Sequence, residues 1–183
     1  MDEKSRREKD LAERAKKRLN AFTQLQRTID FKIERLARME EKAQSVGGQT
    51  LSDMPKAPGY TGDRMTDTVA RIVDLESEIR RDRAQERAEY ETIKMIAAGM
   101  EKADERAVIE LRYLDGAKWE EVSEVLYGNR EDFDDKRDYF LRQTFKKHGA
   151  ALLSFAESEE TIETGKDTAA KKAPQRAAKR PRE

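Results

Sequence analysis

Four side chains between positions 142 and 147 have the chemistry to read double-stranded DNA. Arg142 carries paired N–H donors that match a guanine edge, and Gln143 carries a donor and an acceptor that match an adenine edge. Lys146 and Lys147 are compact cations suited to phosphate oxygens. Catalytic chemistry has little to work with by comparison. The chain has one histidine and no cysteine, and it carries neither a glycine-rich phosphate loop nor a Gly-x-Ser-x-Gly nucleophile motif. His148 falls on an apolar helical stripe between Thr144 and Leu152, where it reads as a packing residue rather than a general base. The expectation is a protein that is not an enzyme and uses no cofactor or metal.

The four residues need a helix to hold them, and the pattern around them predicts one from about Lys136 to Phe155. Its inward positions are Phe140, Leu141, Thr144, His148, Leu152 and Phe155, leaving Arg142, Gln143, Lys146 and Lys147 outside. Two shorter helices precede it. The first starts at Asp104, a capping-type residue, and stops at Asp115-Gly116. The second runs from Trp119 to Tyr127, with Trp119, Val122, Ser123, Leu126 and Tyr127 on one face and Gly128-Asn129 at its end. Two short helices before a longer basic one is the order of a helix-turn-helix.

The run Leu111-Arg-Tyr-Leu-Asp-Gly116, followed by Trp119-Glu-Glu-Val-Ser123 and His148-Gly-Ala-Ala-Leu152, resembles the sigma-factor region 4-like domain of small phage regulators. Late-gene activators of the RinA/ArpU type and a related prophage family of undefined function share this pattern. The segment Ile29-Asp-Phe-Lys-Ile-Glu-Arg-Leu36 and the loop ending in Gly62-Asp63-Arg64 are also similar to the prophage family, so the likeness covers roughly residues 20 to 156. The resemblance implies an all-helical N-terminal part before a helix-turn-helix that binds phage promoter DNA. One departure is the turn between the second and third helices. It is long and carries Glu131, Asp132, Asp134, Asp135 and Asp138, which a phosphate backbone would repel. Carboxylates also favour the first turn of a helix, and we read them as the start of the last helix, pointing away from DNA. A calcium loop would need alternating oxygens, a central glycine and a terminal glutamate, and that pattern is missing.

Composition narrows the architecture. Of 183 residues only 36% are hydrophobic and 42% are charged, too polar for one large core and better suited to long, thin helices. Lys+Arg and Asp+Glu both number 38, so DNA affinity must come from local patches and not from net charge. No apolar run approaches a membrane span or a signal peptide, and the expected location is the cytoplasm of a bacterial host, without membrane contact.

The pattern predicts an all-α protein: a long, coiled-coil-like helical hairpin, a small helix-turn-helix domain and a disordered basic tail. Residues 1–100 form the hairpin and oligomerisation arm, with a loop at 47–65 marked by Pro55, Pro58, Gly59 and Gly62. Its first helix spans about Asp2 to Val46, with a stripe of Phe22, Leu25, Ile29, Ile33, Leu36, Met39, Ala43 and Val46. Before Phe22 only Leu11, Ala15 and Leu19 interrupt a basic run, so the first twenty residues read as a solvated, fraying helix. The second helix starts near Thr66 or Asp67 and continues to about Ala98, its stripe broken by Arg83 and Glu86. Incompletely paired stripes predict a homodimer. Residues 101–156 form the helix-turn-helix domain, and residues 157–183, acidic and then rich in Lys, Arg, Ala and Pro, form the tail.

The expected function is a phage or prophage DNA-binding transcription regulator of late genes that reads promoter DNA through the last helix. The alternatives are a protein-interaction module contacting RNA polymerase, which the acidic turn would suit, and a packaging (small terminase-like) or structural helical protein.

Overall fold

The computed structural model describes residues 3–47 and 61–172, and every secondary-structure element among them is helical. In chain order these are α1 (Glu3–Gly47), α2 (Thr61–Ala98), α3 (Ala103–Ile109), α4 (Trp119–Tyr127) and α5 (Arg137–Lys172), with a π-helical turn at Glu110–Leu114. The chain divides into two compact units, Phe22–Glu89 and the combination of Met1–Ala21 with Tyr90–Glu183.

In the unit Phe22–Glu89, the described parts of α1 and α2 run antiparallel. Lys32 Nζ reaches Asp82 at 2.8 Å and Glu78 at 2.9 Å, and Gln26 Nε2 donates to Glu86 at 3.3 Å. Both carboxylates hold the Lys32 ammonium and raise its pKa, Asp82 most. Phe22, Ile29, Leu75 and Ile79 are buried around these bonds. The break in the α2 stripe therefore has a local cause: Glu86 is satisfied by Gln26 where an apolar group would otherwise pack. Helix α2 starts at Thr61, before the Thr66 or Asp67 cap that the sequence suggests, and most of the expected loop, 48–60, lies outside the described residues.

The other unit is built on α5. Phe155, Leu19, Ile93, Ile96, Ile109, Val108, Val122 and Thr144 are fully buried, each apolar side chain contributing about 1.5–3 kcal/mol on leaving water. Two expectations are corrected here. The stretch around residues 15–19 is not solvated and fraying, because Ala15 and Leu19 are both 0% exposed and Arg18 pairs with Glu159. Nor is the chain unstructured from residue 157, since α5 continues to Lys172. Ser158 is buried and its hydroxyl donates to the Ile96 carbonyl at 2.7 Å, where α2 ends in the turn at Gly99. The close approach explains a glycine at 99: a Cβ there would stand 2.5 Å from Ser158 Oγ. The remainder of the basic tail, 173–183, lies outside the described residues.

Helix α3 differs from expectation at both ends. Its N-cap is Lys102, whose side chain makes no capping bond, so Asp104 sits inside the first turn instead of starting the helix. Its last turn widens into the π-helical stretch, closed by Asp115 N–H on Glu110 C=O at 3.0 Å. Gly116 then adopts φ 72°, a left-handed conformation that a side chain would strain, and Ala117 N–H returns to Leu111 C=O at 2.9 Å. The stop at Asp115-Gly116 thus has a backbone reason. Helix α4 follows, with the Lys118 N–H donating to Glu121 Oε2 at 2.8 Å, half of a capping box.

Candidate nucleic-acid interface

The start of α5 is positioned by aromatic packing. Phe140 is buried, with Tyr127 of α4 stacked at 5.2 Å and Phe133 at 5.7 Å between ring centroids. Phe133 comes from the acidic turn, and its burial gives that nine-residue connection, 128–136, an anchor of its own. Arg130 lies over the Tyr127 and Phe140 rings, and Arg137 over Phe133. Neither Phe133 nor these arginines stand out from the sequence as site residues, because the surrounding carboxylates mask an isolated aromatic.

The carboxylates of the turn are partly matched by cations beside them. Asp132 pairs with Lys136 at 2.9 Å and Asp134 with Arg137 at 2.6 Å. The Lys136 ammonium holds the Asp132 carboxyl below the usual range, and Asp134 raises the Arg137 pKa. Only Asp138 falls in the first turn of α5, so the carboxylates act chiefly through these local pairs and less as a dipole cap. Residues 118–138 nevertheless hold eight carboxylates against four cations, so this stretch is locally anionic and would repel a phosphate backbone.

The four residues singled out by chemistry separate on this surface. Arg142 and Lys146, one turn apart, are exposed and form no ion pair among the described residues. Gln143 is half-buried. Lys147 does not lie outside as expected: its side chain is 26% exposed, its ammonium pairs with Asp104 of α3, and it stands 5.6 Å over the Tyr127 ring. It fastens α5 to α3. Tyr139, 53% exposed and on the same helical face as Arg142 and Lys146, joins the outward set, and its exposure was not legible from a stripe that simply steps past it.

His148 is a packing residue with polar contacts. Its Nε2 shares a 3.0 Å hydrogen bond with the Tyr113 hydroxyl, and its ring meets Trp119 edge-on at 4.8 Å. Burial, with the nearby charges of Lys16 and Arg112, pushes its pKa down to about 4. Burial likewise raises the Tyr113 pKa. A neutral imidazole bonded to a neutral phenol holds the π-helical turn against α5. Trp119 also packs on Phe145 at 5.1 Å, and the Arg112 guanidinium covers its ring at 4.9 Å while donating to Ala117 C=O at 2.8 Å. Among the described residues no group of acidic or histidine side chains is arranged to hold a metal ion, and no helix is long and apolar enough to cross a membrane. No protein-family model, curated protein or solved structure matches this chain.

Proposed function

We propose that this protein binds double-stranded DNA as a helix-turn-helix regulator of phage or prophage promoters, in the bacterial cytoplasm, with α5 as the reading helix. The observation that carries the reading is the pair Arg142 and Lys146, exposed and without ion pairs among the described residues on the face opposite Phe140 and Thr144. Arg142 supplies guanine recognition and Lys146 phosphate contact, with Gln143 at the flank of the same surface. The excess of carboxylates next to them limits the interaction to a few phosphates, so the salt dependence should be shallow, with a slope of about −2 to −3.

Fluorescence anisotropy with promoter fragments from the genome that encodes the chain tests this. Arg142→Ala should cost about 1–3 kcal/mol on the preferred fragment and little on random DNA, whereas Lys146→Ala should weaken both and reduce the salt slope by about one. Equal affinity of the wild type for all fragments, unchanged in both variants, would end the reading.

A second reading, docking to a protein such as RNA polymerase, draws on α4. Val125 there is 63% exposed and the neighbouring Glu121 and Glu124 are exposed as well, a surface for a basic partner rather than for phosphate. Exposed Phe31, Val69 and Val73 support a homodimer held by α1 and α2 in either case.

A further inference from the structure

We propose that the cleft between the turn after α2 and the middle of α5 binds the arginine side chain of a basic partner protein; this goes beyond the DNA-binding reading and does not depend on it. The cleft has a volume of about 410 Å³ and lies between residues 99–105 and 150–161. That is within the about 300–1,000 Å³ of sites that enclose a ligand. It exists because α5 presents small side chains there. Ala150, Ser154 and Ser158 recur at intervals of four on one helical face, so the facing turn meets no bulk between them.

The chemistry of the cleft is set by Glu105, whose side chain is only 8% exposed. One of its oxygens, Oε1, takes the Lys102 ammonium at 2.8 Å, while Oε2 forms no hydrogen bond among the described residues. A buried carboxylate served at one oxygen is costly, and its present partner is a lysine side chain that is itself 72% exposed. Lys102 thus shows which kind of group the cleft accepts and leaves half of the acceptor open. Glu101 and Glu157, both exposed, line the same cleft, so three carboxylates face one cation. An anion is repelled there and a second cation is attracted. The Ser154 hydroxyl, also on the cleft, forms no hydrogen bond among the described residues. Met100 and Leu153 supply apolar surface for a methylene stem. A guanidinium carries five donors in a planar fork, enough for Glu105 Oε2, Ser154 and an outer carboxylate together, whereas an ammonium carries three. The exposed Glu101 and Glu157 suit basic neighbours of that arginine on a polypeptide.

The test uses the full chain and an NMR titration of its backbone amides with a short glycine–serine peptide that carries one central arginine. The wild type should bind it with a Kd on the order of 1 mM, with shifts concentrated in residues 99–105 and 150–161. The same peptide with citrulline, a neutral analogue of arginine, should cause none there. Lys102→Ala removes the competing ammonium from an exposed side chain and should tighten binding by about 2- to 5-fold. Glu105→Gln should weaken it by about 10-fold or more. Because that carboxylate is buried, Glu157→Gln at an exposed position gives a second check, with a loss of about 2-fold. Arg142→Ala also removes a positive charge, but it lies eight residues before Ala150, about 12 Å along α5 and beyond the screening length, and should leave the peptide affinity unchanged. Equal shifts from the citrulline peptide, equal shifts across the acidic turn at 131–138, or no tightening in Lys102→Ala would overturn the site. Methylguanidinium binding as tightly as the peptide would make the occupant a small cation and overturn the protein partner. The titration contains no DNA, so its failure and that of the DNA-binding reading are told apart.

Discussion

Acidification is expected to destabilise the unit around α5 through His148 before most carboxylates titrate. The imidazole has an ordinary pKa of 6.5 and a folded value pushed down to about 4, first by burial and then by Lys16 and Arg112. Because the folded value is the lower one, the unfolded chain binds the extra proton between these limits. The stabilisation from keeping His148 neutral is complete above pH 6.5 and is lost as pH falls toward 4. At 1.36 kcal/mol for each tenfold change in proton affinity the full displacement corresponds to about 3 kcal/mol. The ring is only half-buried, so solvent screening reduces this to about 1–2 kcal/mol. The measurement is direct, because the chain contains one histidine and its ring carbon proton gives a single NMR resonance. Its midpoint should lie well below 6, and urea unfolding at pH 7 and pH 5 should differ by about 1 kcal/mol or more. His148→Gln can keep a hydrogen bond to Tyr113 without titrating, so its stability should be nearly flat over that interval. A histidine midpoint at or above 6.5, or parallel pH dependence in wild type and variant, would refute the argument.

Two further substitutions test the packing. Gly99→Ala forces a methyl group against Ser158 Oγ and should cost about 1–3 kcal/mol in thermal unfolding, with part of the loss recovered when Ser158→Ala removes the obstructing oxygen. Ser123 is buried in α4 and its hydroxyl has no hydrogen-bond partner among the described residues, so Ser123→Ala should be neutral or stabilising by up to about 1 kcal/mol; a loss of similar size would reveal a partner for that oxygen.

The helices that carry large apolar residues at regular spacing were legible in the sequence, while those stabilised by small or polar residues from far along the chain were not. Helix α4 needs only Trp119, Val122, Leu126 and Tyr127 to announce itself, and its limits agree with the sequence pattern. The extension of α5 past residue 156 offers Glu157, Ser158, Glu159 and Glu160, which alone resemble a solvated tail. Its order comes from Ser158 against Ile96 and Gly99, and from Glu159 against Arg18, contacts that local periodicity does not encode. The same applies in mirror image to the start of α1. Ala15 and Leu19 form too narrow a stripe to predict burial, yet a narrow stripe is what allows a neighbouring helix to approach closely.

The candidate site shows the limit of reading a face from spacing alone. Arg142 and Lys147 both avoid the inward positions, but they leave the helix in different directions. Position 142 has Tyr139 and Lys146 as its exposed neighbours, one turn either way. Position 147 follows buried Thr144 by three residues and precedes buried Ala151 by four, so its side chain starts along the edge of the core. A lysine there must either bend its stem out to water or find a carboxylate at the edge, and Asp104 supplies one from the first turn of α3. Whether such a carboxylate exists is decided by how α3 packs on α5, which the spacing within α5 does not contain. Of the two lysines that looked equivalent, Lys146 is exposed without an ion pair among the described residues, so under the proposed DNA-binding reading it is the one left for a phosphate, whereas Lys147 pairs with Asp104 and ties α5 to α3.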